Sequence, residues 1–235
     1  APTGRSAKKL NESVKMDAFT IHKFLKWNKE NDSFNLNEFN KSEVDLVIID
    51  ESSMIDIFLF SSLLKALKSS VKLILVGDSN QLPSIKPGNV LYDILNTKII
   101  NNIYLKDIYR TKKDSYIIDF AMKIKEKEQI LSLKNYSDFS FIESEDINIR
   151  EYLTKICKEY LKKNKNLNHF QVLAPMYKGE NGIDNLNILM QEIFNKKSAN
   201  KNEVKIRNKI YRENDKVMCL VNDIDNDVYN GDIGF

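Results

Sequence analysis

The fold of this chain is decided by two aliphatic runs that each end in acid, Asp45-Leu-Val-Ile-Ile-Asp50-Glu51 and Leu73-Ile-Leu-Val-Gly77-Asp78. Buried parallel strands are continuous aliphatic runs, and in open α/β sheets the ligand crevice lies at the carboxyl ends of the strands. The two runs therefore predict neighbouring parallel strands that bring carboxylates to one crevice. This arrangement is typical of α/β domains that hydrolyse nucleotides.

The spacing around the two runs supports a β-α-β unit. Residues 57–67, which lie between the runs, have the apolar spacing of an amphipathic helix. A strand, a helix and a second strand in this order form a right-handed crossover and a parallel pair. Further elements of the same half are predicted as two helical pieces in 6–28, a polar loop over 29–42, a helix over 90–95 and a short strand at 103–105.

Beyond residue 114 the chain is richer in lysine and in long helical patterns. Helices are predicted over 116–128, 149–164 and 183–194, and strands over 139–142 and 170–174. From residue 203 the pattern alternates, and Asn230-Gly231 predicts the turn of a β-hairpin. We expect a first α/β domain over residues 1–100, a second over 101–202, and the start of a small β-rich insertion over 203–235.

Composition sets limits on the class of protein. The chain has 36 Lys and Arg against 33 Asp and Glu, so its net charge of +3 gives no whole-molecule signal for nucleic acid. The two cysteines, Cys157 and Cys219, lack metal-ligand spacing and indicate reduced thiols, from which we expect a cytoplasmic location. No apolar run approaches a membrane span and the opening residues are no signal peptide, so we expect no membrane partner.

Three polar residues after the two runs are candidates for nucleotide chemistry. An acid at a strand end, here Asp50, can hold Mg²⁺, and a second acid beside it, Glu51, can polarise the attacking water. Gln81 carries both a donor and an acceptor, which suits a sensor of the γ-phosphate. The plainer alternatives are an ordinary acidic turn and a solvent-facing amide. The phosphate-binding loop G-x-x-x-x-G-K-[ST] occurs nowhere in the 235 residues.

Other candidates lie outside this crevice. Arg110 could stabilise charge on a transferred phosphate, and a surface ion pair is its alternative. The opening residues predict a helix start where backbone N–H groups and the Thr3 hydroxyl can contact a nucleic-acid phosphate, with Arg5, Lys8 and Lys9 adding charge. A solvated cap is the plain alternative there, as helix capping is for Thr20 and packing for His22.

Seven blocks in order resemble the motifs of RecD-like superfamily 1 helicases, which include the exodeoxyribonuclease V alpha chain and its stand-alone relatives. The resemblance covers essentially the whole chain. The blocks are Ala1 to Leu10, Thr20-Ile-His22, Val47 to Met54, Gly77 to Pro83 with Pro87-Gly88, Tyr109-Arg-Thr111, Pro175-Met176 with Gly179 and Gly182, and Asn230 to Gly234. One departure is Thr111, where relatives often carry glutamine.

The resemblance implies two RecA-like P-loop NTPase domains with parallel sheets, ATP and Mg²⁺ between them, and single-stranded DNA crossing both. Catalytic roles transfer to Asp50 as metal ligand, Glu51 as the water-activating acid, Gln81 as the sensor and Arg110 as the arginine of the fourth motif. DNA contacts transfer to Pro2, Thr3 and Gly4, with Arg5 beside them, to Thr20 and His22, and more weakly to Pro175, Met176, Tyr177 and Lys178.

The expected function is therefore the central part of an ATP-dependent 5′ to 3′ DNA helicase or translocase of recombination and repair, with nuclease-complex subunits as candidate partners. The helicase region of a conjugative relaxase shares these motifs and stays open. A superfamily 1 RNA helicase is disfavoured by Ala1-Pro-Thr-Gly-Arg5. A non-catalytic DNA-binding scaffold is disfavoured because it has no chemical need for Asp50, Glu51 and Gln81.

We expect residues 1–235 alone to hydrolyse ATP at no useful rate. The resemblance puts the phosphate-binding lysine upstream of Ala1 and the last two motifs beyond Phe235. Without the phosphate-binding loop, Mg²⁺-ATP loses most of its phosphate contacts. A steady-state ATPase assay of the purified 235-residue chain checks this, and robust turnover would contradict it.

Overall fold

A computed structural model describes residues 1–105, 115–129, 136–163, 166–221, 223, 226 and 228–235. The helices are α1 Gly4–Val14, α2 Ile21–Phe24, α3 Ile57–Ala66, α4 Val90–Thr97, α5 Tyr116–Lys125, α6 Ile149–Lys163 and α7 Ile183–Phe194. The strands are β1 Trp27–Asn28, β2 Ser33–Phe34, β3 Leu46–Ile49, β4 Lys72–Leu75, β5 Glu203–Ile206, β6 Lys209–Arg212, β7 Val217–Met218 and β8 Ile233–Gly234. No helix in the described ranges is long and apolar enough to cross a membrane.

The contacts divide the chain into two compact units. The first unit comprises residues 1–114 and 219–232, and the second comprises residues 115–218 and 233–235. Both units contain helices and small sheets, which agrees with the α/β class predicted from the sequence. The segment 219–232 is remote in sequence from the rest of the first unit, yet its contacts belong there.

The first unit is built around the predicted β-α-β unit. β3 and β4 pair in parallel, in a register that runs from Leu46 opposite Lys72 to Ile49 opposite Leu75. α3 connects them and begins at an Asp56 cap, whose carboxylate accepts hydrogen bonds from the backbone N–H groups of Phe58 and Leu59. The parallel pair is therefore as the sequence predicts.

The hydrophobic core of the first unit lies between α2, β3 and α3. Its buried members are Ile21, Leu25, Leu36, Ile49, Ile55, Leu59, Leu63, Ala66 and Leu67. Full burial of one such aliphatic side chain contributes about 1.5–3 kcal/mol relative to exposure. This core fixes the strand ends of β3 and β4 against one helix face.

The segment between the first helix and β3 differs from its prediction. The second helical piece ends at Phe24, and Lys26 adopts a left-handed backbone with a φ of 53°. An antiparallel pair joins Trp27–Asn28, at the end of the predicted helical segment, to Ser33–Phe34 in the predicted polar loop, and the Trp27 and Phe34 ring centroids are 4.8 Å apart. Cross-strand aromatic pairs stabilise such short ladders, which explains the change.

In the second unit the helices agree with prediction and two strands do not. α5, α6 and α7 occupy the predicted segments, and the Cys157 thiol is fully buried with its Sγ 3.5 Å from the Met190 Sδ. Residues 139–142 and 170–174 are not strands, and neither are residues 103–105 in the first unit. A strand needs a hydrogen-bonding neighbour, and within the described ranges none pairs with these segments.

The β-rich end of the chain forms two small antiparallel pairs, β5 with β6 and β7 with β8. Arg212 in β6 is buried, and its guanidinium contacts the carboxylates of Glu203 and Glu192. These partners satisfy the donors of a charge that would otherwise be costly to bury. Within the alternating pattern that starts at residue 203, residues 216–221 form a strand only at β7.

We expect Leu63→Ala to lower the free energy of unfolding of the first unit by about 2–5 kcal/mol, because it leaves a cavity in the core. Leu63 is 1% exposed, whereas its helix neighbour Leu64 is 46% exposed. Leu64→Ala is the matched control and is expected to cost less than about 1 kcal/mol. Urea unfolding followed by the fluorescence of Trp27, the single tryptophan, measures both. Equal losses in the two variants would contradict the described core.

Candidate functional site

Hydrogen bonds continue to connect the two segments past Ile49 and Leu75, the last paired residues of β3 and β4. The Val76 N–H donates to the Ile49 carbonyl at 2.8 Å, and the backbone N–H and the hydroxyl of Ser52 both donate to the Val76 carbonyl at 2.9 Å. A Cβ on Gly77 would lie 2.8 Å from the Ser52 Oγ and 2.9 Å from the Leu91 Cδ2. Only glycine permits this approach, which keeps the two acidic segments side by side.

Asp50 and Glu51 form the turn at the end of β3. The Asp50 carboxylate accepts a hydrogen bond from the Glu51 N–H at 2.9 Å, and Glu51 has a left-handed backbone with φ 56° and ψ 38°. Such a conformation is uncommon for a residue other than glycine and is often found at functional sites. Both residues are half-buried, and among the described residues no lysine or arginine forms an ion pair with either carboxylate.

The donor set at this turn fits Mg²⁺ held together with phosphate. Mg²⁺ is usually bound through one or two carboxylates plus phosphate oxygens and water, rather than by an all-protein cage. Asp50 and Glu51 offer carboxylates of this kind. In the part of the chain that the structure describes, no group of three or more His, Cys, Asp or Glu side chains could hold a metal.

Gln81 lies in the turn that follows β4. Its N–H donates to the Asp78 carbonyl at 3.1 Å, and the Asp78 carboxylate accepts from the Asn80 N–H at 2.9 Å. The turn therefore has its own hydrogen bonds, and the Gln81 side chain is exposed. Arg110, the fourth candidate for nucleotide chemistry, lies outside the described residues.

The start of α1 carries the first group of predicted DNA contacts. Thr3 caps the helix, since its hydroxyl oxygen accepts from the Ser6 N–H at 3.2 Å while the hydroxyl donates to the Ser6 Oγ at 2.8 Å. Pro2 is half-buried, Gly4 is buried and Arg5 is exposed. The cap that the sequence left as an alternative for Thr3 is therefore present.

Thr20 and His22 also have structural partners. The Thr20 hydroxyl oxygen caps α2 by accepting from the Lys23 N–H at 3.1 Å. The His22 ring lies 6.1 Å from the Trp27 ring and 5.7 Å from the Phe34 ring, centroid to centroid. The sequence pattern does not indicate this aromatic group, because it predicts helix at β1 and loop at β2, whose pairing assembles the group. DNA contacts by Thr20 and His22 remain predictions.

The last group of predicted DNA contacts lies in the second unit, in an exposed loop before α7. The loop folds back on the helix, since the Ile183 N–H donates to the Met176 carbonyl at 2.9 Å. A Cβ on Gly182 would lie 2.4 Å from the Lys178 carbonyl oxygen, so glycine is needed at the helix start. All four predicted residues are exposed: Pro175, Met176, Tyr177 and Lys178.

One functional candidate had no local signal in the sequence. Tyr229 lies against Gly4, and the Arg5 guanidinium donates to the Gly231 carbonyl at 3.1 Å although the two residues are 226 positions apart. Periodicity and turn motifs report only neighbours in sequence. Contact between the Asn230-Gly231 turn and the start of α1 is therefore visible only in the folded chain.

With this geometry in place, comparison with known proteins identifies the family. A family model described as an AAA domain matches residues 1–146. The chain belongs to the AAA domain family. A second model, described as the ATP-dependent RecD-like DNA helicase SH3 domain, matches residues 186–235. The two models together cover both ends of the chain.

Individual relatives agree with the two models. The ATP-dependent RecD2 DNA helicase of Deinococcus radiodurans is 30% identical over 100% of this chain and 31% of its own length. The RecBCD enzyme subunit RecD of Buchnera aphidicola subsp. Schizaphis graminum is 29% identical over 96% of this chain and 46% of its own length. This chain thus spans less than half the length of either relative. The resemblance to RecD-like helicases is confirmed.

We expect His22 to make the stability of the first unit depend on pH. Burial lowers the pKa of His22 below 6.5, and the charge of Lys86 lowers it further, while Asp56 acts in the opposite direction. As pH falls through 6.5 the unfolded chain takes up the proton first, so the free energy of unfolding decreases; above 6.5 the contribution is complete. Urea unfolding at several pH values, beside His22→Asn, measures this. Identical pH profiles for the two proteins would contradict it.

Proposed function

We propose that the protein carrying this chain is an ATP-dependent DNA helicase or translocase of recombination and repair, moving 5′ to 3′ along single-stranded DNA. The observation that carries the proposal is the junction of Ser52 with Val76, which holds Asp50-Glu51 beside the Gly77-Asp78 turn. Polar groups at the carboxyl ends of adjacent parallel strands are where α/β domains bind nucleotides. Two relatives are named as a DNA helicase and a RecBCD subunit, which supports the same activity.

In this proposal each polar residue of the crevice has one role. Asp50 holds Mg²⁺, directly or through water, and Glu51 polarises the water that attacks the γ-phosphate. Gln81 bonds a γ-phosphate oxygen or that water, and Arg110 stabilises charge as it develops. Mg²⁺, when bound, neutralises charge on the phosphates. The half-buried carboxylates and the exposed amide support these roles by their accessibility.

The architecture that we propose has ATP between two RecA-like domains, residues 1–100 and 101–202, with parallel sheets, followed by a β-rich insertion that starts within 203–235. The β3–β4 pair supports the first of these domains. Single-stranded DNA would contact both domains, through residues 2–5, 20 and 22 in the first and through the 175–178 loop in the second. Subunits of a nuclease complex are candidate partners, since some relatives are named as RecBCD subunits.

ATP hydrolysis by the full-length protein, with and without single-stranded DNA, tests the proposal. We expect DNA to stimulate turnover, and Glu51→Gln to lower it about 100-fold or more, because the amide cannot act as the base. Glu43→Gln is the matched control, since this exposed carboxylate forms an ion pair with Lys68 at the surface. It is expected to hydrolyse ATP like the unaltered protein.

Three outcomes would overturn these assignments. Turnover that ignores DNA would remove the coupling on which a motor depends. Equal rates of ATP hydrolysis in the Glu51→Gln and Glu43→Gln variants would show that Glu51 takes no part in the chemistry. Absence of any turnover, together with DNA binding that ignores ATP, would favour the non-catalytic scaffold.

A further inference from the structure

A turn near the end of the chain lies against the start of α1. The turn spans 229–232, where the Asp232 N–H donates to the Tyr229 carbonyl and the Tyr229 N–H donates to the Asp232 carboxylate, both at 2.9 Å. Gly231 has a φ of +93°, which favours glycine. The Arg5 guanidinium bonds the Gly231 carbonyl. The turn is therefore closed by its own hydrogen bonds and attached to α1.

Gly4 sets the position of the Tyr229 side chain. A Cβ on Gly4 would lie 2.4 Å from the Tyr229 Cδ1, 2.7 Å from its Cγ and 2.9 Å from its Cβ. The Tyr229 Cβ is bonded to the backbone and cannot move without the turn. The ring is consequently held beside the first turn of the helix, and the residue is half-buried.

Tyr229 and one face of α1 line a cavity of about 490 Å³. The rest of its lining comes from residues 17–20 and from Lys23. The Lys23 Nζ lies 5.2 Å from the centre of the Phe19 ring. A volume of several hundred Å³ is enough for a ligand the size of a nucleotide.

Charge differs between the two ends of this cavity. Lys8 lies one helical turn from Gly4, whereas Glu12 lies two turns away, about 12 Å along the axis at 1.5 Å per residue. Asp17 follows the C-terminal end of α1. Lys23 lies near the N-terminal end of α1, because the Ile21 N–H donates to the Ala1 carbonyl there. Among the residues that line the cavity, the end that contains Tyr229 therefore has lysines, and the acids Glu12 and Asp17 lie at the far end.

We propose that this cavity holds one nucleotide of single-stranded DNA, with its base stacked on the Tyr229 ring and its phosphates contacting Lys8 and Lys23. The inference deepens the proposed function and rests on it. Single-strand sites combine basic side chains that follow the backbone with aromatic rings on which bases stack, whatever the base. The cavity has both components at the end where the helix begins. Tyr229 is then a DNA-binding residue that connects the 229–232 turn to α1.

Binding of two fluorescent oligonucleotides to the full-length protein tests the inference. One probe is oligo-dT and the other is an abasic oligonucleotide of the same length, which keeps the phosphates but offers no base. We expect Tyr229→Leu to weaken binding of oligo-dT about 5- to 100-fold and to leave the abasic probe nearly unchanged. Tyr229→Phe should bind both probes like the unaltered protein. Tyr211→Leu, at a tyrosine of β6 that is 37% exposed, is the matched control and should also bind both normally.

The pattern across the two probes decides between a base contact and a structural role. Equal weakening of both probes by Tyr229→Leu would make Tyr229 a support for the turn only and would overturn the inference. Unchanged binding of both would overturn it as well. Failure of the unaltered protein to bind either probe would instead refute the proposed function.

Two further measurements keep the test independent of how Tyr229→Leu folds. An oligo-dT that contains one 2-aminopurine should lose fluorescence when bound to the unaltered protein, because a stacked base is quenched. Fluorescence that stays unchanged on binding, wherever in the oligonucleotide the 2-aminopurine is placed, would overturn the inference. Gly4→Ala should weaken oligo-dT binding by displacing the ring, and should add no further loss in a Tyr229→Leu background. A full additional loss in the double variant would contradict the coupling between the two residues.

Discussion

The first unit depends on the hydrogen bonds that continue the β3–β4 pairing past its last residues. The Val76 carbonyl accepts both donors of Ser52, so the chain that leaves β3 is tied to the chain that leaves β4. Because parallel strands end at the same edge, this tie puts the acidic turn of Asp50 and Glu51 beside the turn that leads to Gln81. The left-handed Glu51 and the absent side chain of Gly77 are what the tie requires of the sequence.

A second glycine is required by a close neighbouring side chain at the start of α1. Glycine in a helix costs about 0.5–1 kcal/mol relative to alanine, which argues against it there unless space is limiting. Gly4 has such a reason, because the Tyr229 side chain occupies the place of its Cβ. At Gly77 and at Gly4 alike, a missing side chain lets a segment distant in sequence come close. The described glycines with a positive φ include neither Gly4 nor Gly77. A close neighbouring side chain, rather than backbone freedom, therefore explains glycine at both positions.

The elements that could be predicted from the sequence are those fixed by local pattern. α3, α6 and α7 follow helical periodicity, and β3 and β4 follow aliphatic runs separated by one helix. The strands predicted over 139–142 and 170–174 failed, because a ladder depends on a partner that no local pattern reveals. The contact of Tyr229 with Gly4 was beyond prediction for the same reason. Candidate residues at the strand ends could be named from the sequence, but the caps formed by Thr3 and Thr20 were only alternatives there.

Those caps change what recognition of a phosphate backbone would require at this face. The Thr3 hydroxyl donates its proton to the Ser6 Oγ and so has less capacity for a phosphate oxygen, whereas the cap at Thr20 uses a lone pair and not the hydroxyl proton. In the proposed function, affinity at α1 would then come from lysine and arginine side chains and from stacking on Tyr229. Lysine and arginine contacts weaken as salt rises, whereas stacking does not release counterions. In the proposed motor, the stacked base would stay bound independently of the ionic contacts. The protein could therefore hold DNA while it moves.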